Sequence, residues 1–348
     1  MDAALREIEA GAAVLDREPR FPAEAFELLH AEGATAATLP GVDGRRPGLE
    51  AEWRLVRTVA EADGSVGRIL DGHLNAVDRL LGAGDTLATE TITRVREGDL
   101  FGLWGADPGA GEGAPAALSG PADRPVLNGA KTFCSGAGGV DAALVMARGR
   151  EPGPPALVLV DIDDSVDVDR DWYRGGGLRA SESHLVRFDA TPVRAVIGEP
   201  GELGREPSFS LDAMRTTASW AGMSDRAAGA ALADLAERRA DDPLAQLAAG
   251  RIAASRETID AWFGHALSRT ADGEDDLRAV SVRLRAEVAG AATRILDEAA
   301  RACGSHPFAT GRALDRARRD LELFTLQHRL DPLLARDGRV LLAAGENA

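Results

Sequence analysis

The hydrophobic pattern of this chain changes period twice, and that double switch limits its fold more than any single motif. Residues 1–99 are rich in Ala, Leu, Glu and Arg, with apolar positions at helical spacing. One predicted helix opens near Pro22, a residue tolerated in a first turn. Glu24 favours its positive end, Phe26 and Leu29 share a face, and Gly33 marks its end. A second helix is predicted over Ser65–Leu81, with Asp63-Gly64 as the break before it. From Phe101 the apolar runs become short: Phe101–Trp104, Ala142–Ala147, Ala156–Val160 and Leu185–Phe188 alternate with Gly, Pro and Asp clusters, the pattern of an antiparallel β domain. After Pro207 four long helical stretches follow, about 208–238, 243–271, 276–303 and 312–344, and short connections between them predict an antiparallel bundle. The fold class is therefore α+β. An N-terminal helical domain is expected over 1–99, a middle antiparallel β domain over 100–205 and a C-terminal four-helix bundle over 206–348.

Charge narrows the partners. Against 56 acidic residues stand 40 basic ones, a formal net charge of −16, and every basic residue except Lys131 is an arginine. Nucleic acid and anionic membrane surfaces need a basic footprint, so neither is an expected partner. No apolar run has the length of a membrane span or the pattern of a signal peptide. Cys134 and Cys303 form no CxxC pair, in keeping with a reducing cytoplasm. Gly109-Ala110-Gly111-Glu112-Gly113-Ala114 mimics a dinucleotide fingerprint but opens no helix of a βαβ unit, and no phosphate-loop motif exists. The aspartates from Asp161 to Asp171 read as a charged strand edge rather than a calcium loop. No histidine pair has zinc-ligand spacing, so no metal is expected. His30, His184 and His265 read as ordinary packing or surface residues, and Trp104, Trp220 and Trp262 as core. His73 and His328 lie inside helical stretches, where a side chain of fixed direction can point into a cleft; by spacing alone, a satisfied structural histidine is the simpler account.

Three regions together resemble the acyl-CoA dehydrogenase superfamily of flavoproteins. Ala106-Asp107-Pro108-Gly109-Ala110-Gly111 is similar to that family's Thr-Glu-Pro-Gly-Ala-Gly-Ser segment. The run from Leu127 through Lys131-Thr132-Phe133-Cys134-Ser135-Gly136 resembles its Gly-x-Lys-x-Trp-Ile-Thr-Asn strand, and Gly177-Leu178-Arg179-Ala180-Ser181-Glu182-Ser183 its Gly-x-Arg-x-Ser-x-Thr. Gly304-Ser305-His306-Pro307-Phe308 and Arg318-Arg319-Asp320 resemble its Gly-Gly-x-Gly-Phe and Met-Arg-Asp segments. These segments occur in the family's order at compatible spacing, and they span nearly the whole chain.

The resemblance implies bound FAD, or alternatively FMN, between the β domain and the bundle. Phe133 would replace the tryptophan that packs on the isoalloxazine, and Ser135 the threonine whose hydroxyl faces flavin N5. Ala106 and Ser181 fall in cofactor-binding segments, and Gly304 and Ser305 would approach the dinucleotide of a neighbouring subunit. Ala106 and Glu112 replace the usual Thr and Ser; a glutamate there would repel a pyrophosphate unless turned away. The family's catalytic glutamate lies nine residues after the Arg-Asp arginine, which is His328 here, or just before an arginine early in the bundle, where Met214 precedes Arg215. Both positions lack a carboxylate. The implied function is a flavin-dependent oxidoreductase acting on an acyl thioester or related small organic substrate, with His328 as base. A histidine at that position also resembles the two-component reduced-flavin monooxygenases, which use a C4a-hydroperoxide; His328 and His73 would then be neutral donors. A catalytically silent acyl- or partner-binding scaffold is the third reading. The implied partners are a CoA or carrier-protein thioester, a flavin reductase, and further copies of the chain in a homodimer or homotetramer.

Overall fold

The computed structural model describes residues 1–41, 44–273 and 277–345. Five helices come first: α1 (Asp2–Arg17), α2 (Ala23–Ala31), α3 (Leu49–Ala62), α4 (Gly64–Leu81) and α5 (Asp85–Glu97). Eight strands follow: β1 (Phe101–Trp104), β2 (Ala117–Ser119), β3 (Val126–Cys134), β4 (Ala142–Ala147), β5 (Ala156–Asp161), β6 (Val166–Asp169), β7 (His184–Pro192) and β8 (Ala195–Ile197). The chain ends in α6 (Ser208–Arg239), α7 (Pro243–Ala271), α8 (Leu277–Cys303), the single turn α9 (His306–Ala309), α10 (Ala313–Phe324) and α11 (Leu330–Gly345). Local chemistry sets several of these ends. Pro22 caps α2, and α5 stops where Gly98 turns left-handed at φ 105°. Asp242 opens α7 by accepting from the Leu244 N–H at 2.9 Å, with Pro243 in the first helical position. Part of the turn predicted between the second and third long helices, 274–276, lies outside the described residues.

The strands form two four-stranded sheets, β1-β4-β5-β8 and β2-β3-β7-β6. The middle block is not wholly antiparallel as expected, because β1 runs parallel to β4, from Phe101 opposite Ala142 to Trp104 opposite Val145. A parallel pair needs a long crossover, and the chain supplies one by placing β2 and β3 in the other sheet before returning.

Residues 1–55, 65–175 and 179–208 form one compact unit, and 56–64, 176–178 and 209–348 another. In the first, Val77 and Leu80 of α4 pack with Val95, Phe101, Leu144 and Leu157 in a buried apolar core. Each such side chain contributes roughly 2 kcal/mol by leaving water. Arg79 fastens α4 to the chain end of this unit, donating to the carbonyls of Glu202 at 3.2 Å and Leu203 at 3.0 Å.

In the second unit, α6 lies so close to the end of α3 that a Cβ at Gly222 would collide with the Arg57 carbonyl oxygen. Arg57 pairs with Asp225 and with Asp260, each at 2.6 Å, and Arg256 reaches the same Asp225 at 3.0 Å. The last predicted helix, 312–344, is two helices. Pro332 has no N–H to offer the carbonyl of His328, and its ring would clash with that carbonyl in a continuous helix. The chain therefore leaves helical geometry at His328, which is extended (φ −99°, ψ 106°), and restarts as α11.

Asp320 on α10 pins the 176–178 segment. Its Oδ1 accepts the Leu178 N–H at 2.5 Å, and Leu178 holds a left-handed φ of 48°. Burial pushes the Asp320 carboxyl up to about 7, against the pull of the Leu178 N–H, and Asp63 adds to the rise. An unfolded aspartate ionises near 3.8, so between pH 4 and 7 the folded chain holds a proton that the unfolded chain has lost. Stability of this unit should fall as pH climbs through that window, by on the order of 4 kcal/mol. Asp320→Asn should remove the decline in urea midpoints between pH 5 and 8; an identical slope in the variant would contradict this.

Candidate functional site

The β3–β7 ladder carries the feature that exposes the predicted aromatic. Lys131 lies opposite Val186 and Cys134 opposite His184, so β3 has one residue more than its partner. The bulge includes Phe133, left-handed at φ 52° and 55% exposed. Glu182, just before β7, is left-handed as well, at φ 47°. Such backbone in non-glycine residues costs about 1 kcal/mol or more and persists only where the surroundings enforce it. Lys131 provides part of that enforcement: its buried ammonium donates to the Gly105 carbonyl at 3.1 Å and pairs with Asp107 at 2.7 Å. The Ala106 carbonyl accepts the Thr132 N–H at 3.1 Å, so Ala106 contributes backbone to the bulge.

Ser135 and Ser181 come together through a residue the sequence reading did not single out. Ser183 Oγ lies 2.8 Å from Ser135 Oγ and 2.7 Å from Ser181 Oγ, a three-hydroxyl chain from the partly exposed Ser135 to the fully buried Ser181. Trp104 Nε1 donates to the Ser135 carbonyl at 3.1 Å. Ser135 is thus fixed through its side chain and its backbone.

Glu112 is turned onto its own loop. Its Oε2 accepts the Gly109 N–H at 2.6 Å and its Oε1 the indole N–H of Trp172 at 2.7 Å. The Trp172 ring stands nearly perpendicular to that of Phe133, at 83° with 5.0 Å between centroids. Trp172 belongs to no recognised motif, and only its preceding aspartate-rich strand was legible. His184 lies buried beside Glu182, at 3.4 Å, without hydrogen-bond geometry between them.

His73 does not line a pocket. It is fully buried inside the first unit, where Nε2 donates to the Thr35 carbonyl at 2.9 Å and Nδ1 accepts the Phe101 N–H at 3.0 Å. Both nitrogens serve backbone, so the ring is an internal strut and has no N–H left for an oxygen ligand. Burial lowers its pKa to about 4, which keeps it neutral.

In the second unit, His328 sits in the break before α11, not within a helix. Its ring lies 5.2 Å from that of Trp220, and Arg285 Nη1 approaches its Nδ1 at 3.4 Å. A guanidinium can only donate, so Nδ1 is the acceptor and Nε2 carries the hydrogen. Arg285 is itself held by the Ser281 carbonyl at 3.1 Å. Trp220 is fully buried as expected, yet its Nε1–H has no partner among the described residues. Met214, at the second carboxylate position of the resemblance, is buried too. Gly304 is left-handed at φ 71° with open space around it, and the exposed Ser305 caps α9.

The first unit suits a flavin ring: an exposed aromatic on a rigid bulge, with a hydroxyl two residues on that is oriented by a serine chain. No protein-family model matches the sequence, and no curated protein matches it. Solved structures do. KijD3, in complex with FMN and a dTDP-linked amino-keto sugar, aligns over 97% of this chain and 91% of its own, at TM-score 0.83 and 23% identity. TdsC from Paenibacillus sp. A11-2, with FMN and indole, aligns over 98% and 96%, at TM-score 0.85 and 20% identity. Methanesulfinate monooxygenase MsuC from Pseudomonas fluorescens aligns over 98% and 96%, at TM-score 0.84 and 17% identity. These likenesses show the fold, which is acyl-CoA dehydrogenase-like.

The His73 strut has a measurable signature. Unfolded histidine takes its proton near 6.5 and folded His73 only near 4, so stability is full above pH 6.5 and declines as pH falls towards 4. The loss should be on the order of 3 kcal/mol. The His73 C2–H shift in NMR spectra should stay constant between pH 5 and 8; a His73 resonance moving in that range would refute the assignment.

Proposed function

We propose that this chain is a reduced-flavin-dependent monooxygenase acting on a small organic substrate, with FMN as its flavin. The observation that carries this reading is Arg285 at Nδ1 of His328. Removing an α-proton from a thioester requires a free lone pair. Here the lone-pair nitrogen faces a permanent donor, and Met214 offers no carboxylate at the other position. That tautomer places the ring's hydrogen on Nε2, and an N–H donor suits an oxygen acceptor without a carboxylate's repulsion. Bound reduced flavin supplies the electrons with which molecular oxygen is activated. The chain's own residues do the rest: Phe133 offers a stacking face, Ser135 a fixed hydroxyl, and His328 an N–H donor.

Support also comes from the fold neighbours, where KijD3 and TdsC hold FMN and MsuC is a monooxygenase. The reading implies a separate flavin reductase as partner and a cytoplasmic setting, in which the buried Cys134 and Cys303 stay thiols. It also implies a homo-oligomer, since Gly304 and Ser305 leave backbone open to the flavin site of a second copy. No helix among the described residues is long and apolar enough to cross a membrane.

With FMN kept reduced by a flavin reductase in aerated buffer, the wild-type chain should delay release of hydrogen peroxide relative to free reduced FMN. His328→Ala should shorten that delay about 10-fold, the effect of one lost hydrogen bond to a developing charge, whereas His328→Gln should keep most of it. Bleaching of bound flavin by an acyl-CoA under anaerobic conditions would overturn the proposal in favour of dehydrogenation. Failure of both FMN and FAD to bind would leave the scaffold reading.

A further inference from the structure

We propose that Glu112 is a positioning residue for the flavin ring, acting through Trp172. The inference rests on the flavin reading above and assigns a role to a residue that the resemblance leaves without one. Three observations meet at one place. The Glu112 carboxylate bridges two donors on different segments, the Gly109 N–H at 2.6 Å and Trp172 Nε1–H at 2.7 Å. Trp172 in turn abuts Phe133 edge to face at 5.0 Å. Phe133 itself is the exposed, strained member of the bulge, 55% exposed at φ 52°.

The two rings, perpendicular to each other, make an aromatic corner. A planar heteroaromatic ligand stacked on one wall meets the other at its edge, so the corner sets both the plane of the ligand and its lateral position. A phenylalanine alone would set only the plane. The indole could swing away from a solvent-facing site; bonds of this length to an ionised acceptor are strong and directional enough to hold it. Each carboxylate oxygen takes one donor, so the bridge requires two acceptors. Glutamine supplies one and puts an N–H₂ against the other donor, whereas serine, the residue common in the resembling family, cannot span both. Glu112 therefore touches no substrate. It fixes the glycine-rich turn against the indole and thereby the corner.

The test is a double-mutant cycle on the full-length chain with Glu112→Ala and Trp172→Phe, titrated with FMN and with riboflavin by flavin fluorescence. Each single variant should weaken both ligands about 10-fold, and the double variant by no more than about 20-fold, because the two residues act as one device. Glu112→Gln should fall between wild type and Glu112→Ala. The visible circular dichroism of bound flavin should change in every variant while the unfolding midpoint stays within about 2 °C, a combination that a merely structural role would not give. In the flavin-free protein, the Trp172 indole N–H resonance should shift in Glu112→Ala. Independent losses multiplying to about 100-fold in the double variant would overturn the proposal. So would tighter FMN binding by Glu112→Ala with riboflavin unchanged, which would make the carboxylate a competitor of the phosphate. Wild-type protein that binds neither flavin defeats the flavin reading and this inference together; wild-type binding that the variants leave unaltered defeats this inference alone.

Discussion

One extra residue in a strand governs the candidate site. Between Lys131 and Cys134 the β3 ladder gains a residue over β7, and side-chain parity changes across that point. In a regular strand, Phe133 would follow the alternation of its neighbours and the exposed aromatic would be lost. The bulge exposes it at the cost of a left-handed backbone, and the surrounding bonds resist relaxation. Lys131 to Asp107, Thr132 to Ala106, and Trp104 to Ser135 all tie residues next to the irregularity to the preceding strand and its loop. The hydroxyl chain through Ser183 and the carboxylate bridge of Glu112 are built around the same point.

The alternation of helix, strand and helix was legible because burying one face of a helix or strand imposes a period on the sequence. Prediction of a helix over Ser65–Leu81 against the observed Gly64–Leu81 shows how closely a break such as Asp63-Gly64 can be read. Pairing direction was not legible. The β1–β4 contact joins strands separated by two others, and a short apolar run carries no mark of which neighbour it will find. The split of the last helix was present in the sequence as Pro332, but the apolar period continues across the break and masked it. The consequence for His328 is chemical. A residue released from helical geometry is oriented by its contacts, here Trp220 and Arg285, and not by a helix axis.

The site residues divide along a similar line. Phe133, Ser135 and Ser181 could be placed by motif, since motif position reports the backbone locally. What each side chain bonds to depends on segments distant in sequence, so His73 looked equivalent to His328 until Thr35 and Phe101 were seen to take both its nitrogens. Ser183 stands at the last position of the same motif as Ser181, but its bonds to both serines had no mark in the sequence, and Trp172 had no signal beyond its neighbours. Fold neighbours at 17% to 23% identity fix the architecture and leave the chemistry to these side chains.

Lys131 has a consequence beyond the bulge. It is the only lysine in the chain, and it is 1% exposed with its ammonium paired. Histidine aside, every basic side chain that meets solvent is therefore a guanidinium, which holds its proton at any physiological pH and forms forked bonds to carboxylates. The folded surface offers no ε-amine for acylating reagents, for amine cross-linkers, or for acetylation and ubiquitin transfer. Lysine modification would report instead on opening of the β3 bulge, because only a chain that has released Asp107 can present its single target.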